Sequence, residues 1–297
     1  MRWKAFVAAA ILVAIPVALV AQETVKPPAI TNPDYVKPFP PLRIVGNLYY
    51  VGTYDLAVYL IVTKEGHILI NTGVNDSTPA IKANIEALGF KFQDIKLLLA
   101  THGHWDHVGA MAEIKKMTGA RMMMHEDDAG LLESGGSMDF RYVDGRGTIY
   151  PPIKVDRRLK EGDKVRLGEA ELTVIHHPGH TKGATSFTFT ARDGERTYPV
   201  LIVNMASINP GVMLAGMPGF QGIDAAYLGT LARQKKLTPG IWVSSHAGHF
   251  NLHQKYKPGD PYDPNRFNDP NGYGAKIQFY EKLVQVNLQK GRDGQSK

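Results

Sequence analysis

The sequence predicts an α/β fold of stacked layers, on three observations. Apolar, β-rich runs alternate along the chain with segments of helical periodicity. Several of the runs, such as Lys96–Ala100 (KLLLA), are apolar on both sides, as in a sheet covered on each face. Of the 297 residues, 43% are hydrophobic and 21% charged, enough for a full core and unlike a disordered chain or a coiled coil. No repeat at a solenoid period is present.

The first segment reads as an address. Arg2 and Lys4 precede an uncharged stretch from Ala5 to Leu19 (AFVAAAILVAIPVAL), with small residues at Ala18 and Ala21. This is the layout of a secretory signal peptide, residues 1–21, and the expected destination is the periplasm. The competing reading is a retained membrane anchor, but the run is shorter than the ~20 residues a span needs and Pro16 interrupts it. Residues 22–41 carry Pro27, Pro28, Pro33, Pro38, Pro40 and Pro41 and read as an extended arm. Residues 42–297 are expected to form a single domain.

Within that domain, strands are expected at Asn47–Gly52, Ala57–Thr63 and His67–Asn71, the last two joined by a turn at Lys64–Gly66. A helix follows over Asn75–Gly89, with Pro79 in its first turn and a stripe of Ile81, Ile85 and Leu88. Lys96–Ala100 is a short buried strand, and Val108–Thr118 a helix ended by Gly119. Residues 133–160, rich in Gly and charge, read as a long surface loop. Lys164–Leu167 and Glu171–His176 make a hairpin around Gly168. Ser186–Ala191, Val200–Asn204 and Ile241–Ser245 are further strands, and Ile223–Lys236 is helical. A loop over Tyr256–Gly274 precedes a final helix over Ala275–Gln289.

Composition excludes several chemistries. The chain has no cysteine, which removes disulfides, thiolate zinc fingers, iron–sulfur clusters and thiol catalysis. A net charge of +6 spread over this length does not mark a nucleic-acid binder.

The 11 histidines are not scattered. His102, His104 and His107 stand with Asp106 in THGHWDH, directly after the KLLLA strand. His180 stands in HPGHTKG and His246 in SSHAGHF, each just after a predicted strand. Loops at one sheet edge are where sites form. In an extended segment, residues two apart point the same way, so His102 and His104 can grip one ion. Asp106 and His107 follow where the chain turns into a helix, so their side chains diverge and can meet a second ion. Imidazole and carboxylate suit zinc, and sites with three protein ligands leave a position for water. His177, His249 and His253 flank these segments, the last two as candidates for the mouth of the site. His67 and His125 read as structural or exposed, and Trp105 as packing beneath the loop.

H-x-H-x-D-H after a strand, then P-G-H-T and a distal S-H, resembles the metallo-β-lactamase superfamily. Within it the chain is similar to class B β-lactamases of the third subclass, from GTYDLAVYLI (Gly52–Ile61) through NTG (Asn71–Gly73) to SSHAGHFNLHQKYKPGDPY (Ser244–Tyr262). The resemblance implies a four-layer αβ/βα sandwich with two zinc ions per chain. It places His102, His104 and His180 on the first zinc, and Asp106, His107 and His246 on the second. Glyoxalase II-like thioesterases, lactonases and many nucleases of the superfamily have a bridging aspartate after a strand between the third and fourth metal histidines. Here that strand is VLIVN, followed by Met205, Ala206 and Ser207. The first two subclasses of class B use a cysteine ligand, which this chain lacks; the third uses neither.

The implied reaction is hydrolysis of the β-lactam amide of penicillins, cephalosporins and carbapenems by a metal-bound hydroxide, conferring antibiotic resistance. Asp106 would orient the nucleophile. Ser207 and Asn209 would bind the substrate carboxylate, Ser207 otherwise capping the SINPG turn. The chain departs from the family pattern at Asn71, where an Asp-x-Gly is common, and at Met205, where many relatives place a serine. The expected partner is a small β-lactam, with no nucleic acid, no lasting membrane anchor and a monomeric chain. The rival readings are another hydrolase of the superfamily, acting on a lactone or thioester, and an exported zinc-binding protein without turnover.

Overall fold

The computed structural model describes residues 1, 24–142, 145 and 147–295. The expected signal peptide lies outside the described residues apart from Met1. Among the described residues, no helix is long and apolar enough to cross a membrane.

The strands β1 (Leu42–Val45), β2 (Leu48–Tyr50), β3 (Tyr59–Thr63), β4 (Gly66–Ile70), β5 (Ile95–Leu99), β6 (Arg121–His125) and β7 (Arg157–Leu159) form one sheet in that order. β1 to β4 are an antiparallel meander, while β4 to β7 run parallel. Parallel neighbours need crossovers, and helices supply them. α1 (Thr78–Ala87) joins β4 to β5, α2 (Trp105–Val108) and α3 (Met111–Thr118) join β5 to β6, and α4 (Glu126–Glu133) leads on from β6. The second sheet has the order β12 (Ile241–Ser244), β11 (Arg196–Val203), β10 (Thr185–Asp193), β9 (Ala170–His176), β8 (Lys164–Leu167). It is antiparallel except for β12, which lies parallel to β11 after the crossover α5 (Ile223–Gln234). α6 (Leu252–Lys255) and α7 (Pro270–Gln295) complete the chain.

The period-2 alternation of the strands divides the core. Tyr59, Ile61, Ile68, Ile70, Leu97 and Leu99 face Val174, Phe187 and Val200 of the second sheet. Leu60, Leu69 and Leu98 point the other way, onto Ile81, Ile85 and Ile114 of α1 and α3. Tyr227 and Leu231 of α5 and Ile277 and Tyr280 of α7 join the buried cluster of the second sheet. The result is helix, sheet, sheet, helix, as expected. Trp242 on β12 is fully buried, with its Nε1 donating to the Asp269 carbonyl at 2.7 Å. Trp242→Ala removes that volume and the hydrogen bond. It is expected to cost about 3–5 kcal/mol, read from urea unfolding against the parent.

The structure corrects the reading of 133–160. That stretch is not a surface loop throughout. Ile149, Tyr150, Ile153 and Val155 are buried, and β7 forms the end of the first sheet. A three-residue strand is too short to show a period among glycines and charges. β6 and α4 were also silent in the sequence, since RMMMHEDDAG mixes helix formers with a strand-like run. The helix expected over Val108–Thr118 is two helices, broken at Gly109. There the chain passes so close to the Asn71–Asn75 loop that a Cβ would lie 2.5 Å from the Asn75 nitrogen. The final helix begins at Pro270, inside the expected loop, where Asp269 Oδ1 accepts from the Gly272 N–H at 2.8 Å.

Candidate metal centre

β5, β9 and β12 deliver their ends to one edge of the sandwich, and the histidine-bearing segments follow directly. His104 has extended backbone angles (φ −76°, ψ 150°) and caps α2, whose first turn carries Asp106 and His107. Extended chain followed by a helical turn is the change of direction expected from the spacing. Trp105 fixes the start of α2 by donating from Nε1 to Asn75 Oδ1 at 2.6 Å.

The six expected residues converge. The His102 ring lies 4.7 Å from His104, 4.3 Å from His107 and 4.5 Å from His180, centre to centre. His104 Nδ1 and His180 Nε2 are 3.1 Å apart. Donor atoms of His102, His104 and His180 lie within 4.8 Å of one another, as do those of His102, Asp106 and His107. Asp106 Oδ2 is 3.3 Å from His107 Nε2 and 3.5 Å from His246 Nε2.

Three of the other ring nitrogens, on His180, His246 and His102, are held from outside the cluster, which sets the orientation of those rings. His180 Nδ1 donates to the Ser207 carbonyl at 2.8 Å. His246 Nδ1 donates to Asp55 Oδ2 at 2.9 Å, and His102 Nδ1 meets Thr101 Oγ1 at 3.3 Å. His104 Nε2 faces Asp139 Oδ2 at 3.4 Å. His102 Nε2, His104 Nε2 and both nitrogens of His107 are buried with no hydrogen-bond partner among the described residues. Orphaned buried nitrogens are costly unless something takes their lone pairs. Buried imidazoles around one carboxylate fit a divalent cation of the zinc type.

Protonation agrees with that fit at four of these groups. Burial, then the neighbouring imidazoles, holds His102 well below the usual histidine range, and burial and the Arg141 charge do the same for His104. Burial, offset in part by the Ser207 carbonyl, takes His180 down to about 4. Burial works against the Asp106 charge, but His107 and His246 outweigh it and hold this carboxyl well below its usual value. Burial likewise opposes the charge on His246, which Asp106 and Asp55 nonetheless raise to about 9. Neutral imidazoles and an ionised carboxylate are the forms that bind metal, so His102, His104, His180 and Asp106 stand ready, while His246 must give up its proton when a cation enters.

Two buried histidines outside the cluster set an acid limit. His177, whose Nδ1 lies 2.6 Å from Ser186 Oγ, is lowered to about 3 by burial and then Arg233; His125 is lowered to about 4 by burial and then His176. Unfolded histidine protonates near 6.5, so the fold favours the neutral rings. Their contribution is intact above that pH and is lost progressively as pH falls toward 3–4. The metal-free protein is therefore expected to melt lower at pH 5 than at pH 7.5 by calorimetry, and His177→Gln to flatten that slope.

The cluster opens into a cavity of about 500 Å³. Ser207, Asn209 and His249 line it; Met205 and His253 are not among its lining residues. Met205 packs in the core between the sheets. His253 stacks on Tyr54 at 3.7 Å and donates from Nε2 to the Tyr54 carbonyl. The cavity also shows what the sequence reading missed. Pro28, Ala29, Thr31 and Tyr35 of the arm form one wall, and the arm is tied down by Lys26 N–H to the Thr148 carbonyl at 2.8 Å. Arg141 lines the cavity with its guanidinium bidentate on buried Asp139. Asp55 and Trp105 also reach the lining.

A second group, His125, Asp127 and His176, also brings donor atoms within 4.8 Å. Its two rings stack face to face at 3.8 Å and 18°, so no ion can lie in both ring planes. This arrangement suits packing, not ligation.

Comparison with known proteins follows the same lines. The family model of the metallo-beta-lactamase superfamily matches residues 54–193. The structure resembles the class B3 di-zinc metallo-beta-lactamase LRA-12 from an Alaskan soil metagenome, with a TM-score of 0.87 and 47% identity over 89% of this chain and 100% of that one. It also resembles GOB-18 from Elizabethkingia meningoseptica, with a TM-score of 0.88 and 44% identity over 91% and 100%. Among curated sequences, a hydroxyacylglutathione hydrolase of Jannaschia sp. (strain CCS1) is 32% identical over 172 residues, 58% of this chain and 54% of that protein. The matched stretch thus spans about half the length of such relatives.

Proposed function

The chain belongs to the metallo-β-lactamase superfamily, and on that footing we propose that it is a zinc-dependent β-lactamase. It cleaves the amide bond of penicillins, cephalosporins and carbapenems and confers resistance to them. The observation that carries this reading is the likeness to two metallo-beta-lactamases, one of them of class B3, over their whole length at 44–47% identity, against a half-length match to a hydroxyacylglutathione hydrolase. The Asn204–Ser207 segment supports it, because that stretch after β11 carries no carboxylate that could bridge two cations.

His102, His104 and His180 would hold one zinc, and Asp106, His107 and His246 the other. Bound zinc supplies a Lewis acid and makes water nucleophilic at neutral pH. The chain's own groups do the rest. Asp106, ionised at neutral pH, orients the attacking water and relays its proton to the departing ring nitrogen. Asp55 holds the His246 ring in place through Nδ1. Ser207 and Asn209, on the cavity wall, bind the substrate carboxylate. Tyr35 and the arm narrow the opening and exclude bulk water. The protein is exported to the periplasm and works as a monomer on small molecules, without nucleic acid.

The test is a side-by-side measurement on pure, zinc-loaded protein. Initial rates are taken on a penicillin, a cephalosporin, a carbapenem, a lactone and a glutathione thioester. The expected kcat/KM for β-lactams exceeds that for the thioester by about 100-fold or more, the scale at which a site built for one substrate rejects another. A thioester or lactone turned over faster overturns the assignment. Zinc bound at equilibrium with no hydrolysis of any substrate would leave a binding protein.

A further inference from the structure

Asp128 lies in the first turn of α4 and is 1% exposed. It belongs to neither histidine-bearing loop, yet it grips both. Its Oδ2 accepts from the Gly103 N–H at 2.9 Å and from Thr181 Oγ1 at 2.6 Å; its Oδ1 accepts from the Gly183 N–H at 2.7 Å. Gly103 is the residue between His102 and His104, and Thr181 follows His180. A buried carboxylate is costly and persists only where hydrogen bonds satisfy it.

Both loops come as near to α4 as backbone allows. A Cβ on Gly183 would sit 2.5 Å from the Asp128 nitrogen, and one on Gly103 would sit 2.8 Å from Leu131 Cδ2 of the same helix. The Gly103 peptide is held from its other side as well, since Tyr150 Oη donates to its carbonyl at 2.8 Å. The strands behind the loops have their own connection, Thr185 N–H to the Thr101 carbonyl at 2.7 Å, and do not depend on Asp128.

We propose that Asp128 is the positioning residue for the first cation, setting the distance between the His102–His104 pair and His180 by clamping the peptides beside them. This deepens the zinc-hydrolase reading and rests on it. The clamp acts on three ligands only. Asp106, His107 and His246 are positioned by α2 and by Asp55, which Asp128 does not touch. Its loss therefore weakens one cation and spares the other, and leaves the metal-free fold in place.

The experiment uses the full chain with zinc and with cobalt(II) as probes. Asp128→Asn keeps the volume but sets an NH2 against a backbone N–H. It is expected to raise the dissociation constant of one zinc by about 10-fold or more, read by chelator competition, with the second zinc unchanged. The cobalt(II) spectrum should lose intensity for one ion of two, with the bands of the other as in the parent. Parental affinity and spectrum in Asp128→Asn overturn the proposal. So does an equal loss at both ions with a lowered metal-free melting temperature, which marks a merely structural role. Should Asp128→Asn fail to fold, Thr181→Val decides. It removes one donor of three, and a smaller rise, about 3-fold, is expected for the same zinc, whereas unchanged affinity overturns the clamp. A parent protein that binds no cation at the histidines overturns the zinc reading and the clamp together. A parent that binds two and hydrolyses β-lactams, beside an unaltered variant, overturns the clamp alone.

Discussion

Excess chelator is expected to lower the hydrolysis of a chromogenic cephalosporin by about 10³-fold, and added zinc to restore it. The magnitude follows from the several kcal/mol that a Lewis acid contributes to charge developing in the transition state, each 1.36 kcal/mol being tenfold in rate. No group among the described cavity residues is placed to substitute. Arg141 and, without metal, His246 are the cations there, and each is already neutralised, Arg141 by Asp139 and His246 by Asp55 and Asp106. The measurement is absorbance on ring opening, before chelation, after it and after zinc addition. Full activity in excess chelator would sink the proposed mechanism. The orphaned nitrogens of His102 and His107 give a second readout. Metal removal leaves them unsatisfied, so the melting temperature falls along with the rate.

Asp106→Ala is expected to lower kcat/KM by about 10²–10⁴-fold, the range associated with loss of a positioned proton acceptor. Asp106 faces both His107 and His246, so the variant also loses one cation. Zinc content should fall from two per chain to one; unchanged stoichiometry rejects the role. A third readout needs neither metal nor substrate. Burial disfavours charge on His246, and the Asp106 hydrogen bond is the first of the groups that raise it to about 9. In the metal-free variant that support is gone while Asp55 remains. The His246 titration followed by NMR must therefore move down in pH.

Much of this was legible in the sequence, because the information was local. Four ligand-type residues within Thr101–His107, and single histidines after two other strands, announce a shared site without any knowledge of packing. The continuous apolar runs of β3 and β4 and the more alternating ones of β9 and β10 fall where the sequence puts them. What stayed hidden depends on contacts across the chain. Asp55 stands in an unremarkable GTYDLA, and its partner His246 is 191 residues away. Asp139 lies in the stretch read as a surface loop and Asp128 carries no signal in the sequence, yet both are buried. The arm shows its prolines but not the cavity it walls, since an extended segment has no periodicity to say what it lies against. Met205 stands where many relatives place a serine but fills core, because period 2 fixes which face of a strand a residue takes but not where the strand ends.

The candidate ligands come from both halves of the sandwich, one half giving His102, His104, Asp106 and His107 and the other His180 and His246. A cation held among them would act as a rivet across the seam. Ligation tolerates only a fraction of an ångström, so slippage of one half on the other would register as metal loss long before it registered as unfolding. Substitutions deep in the seam, far from the mouth, should then raise sensitivity to zinc scarcity. Selection for performance in zinc-poor surroundings would act on packing as much as on the pocket.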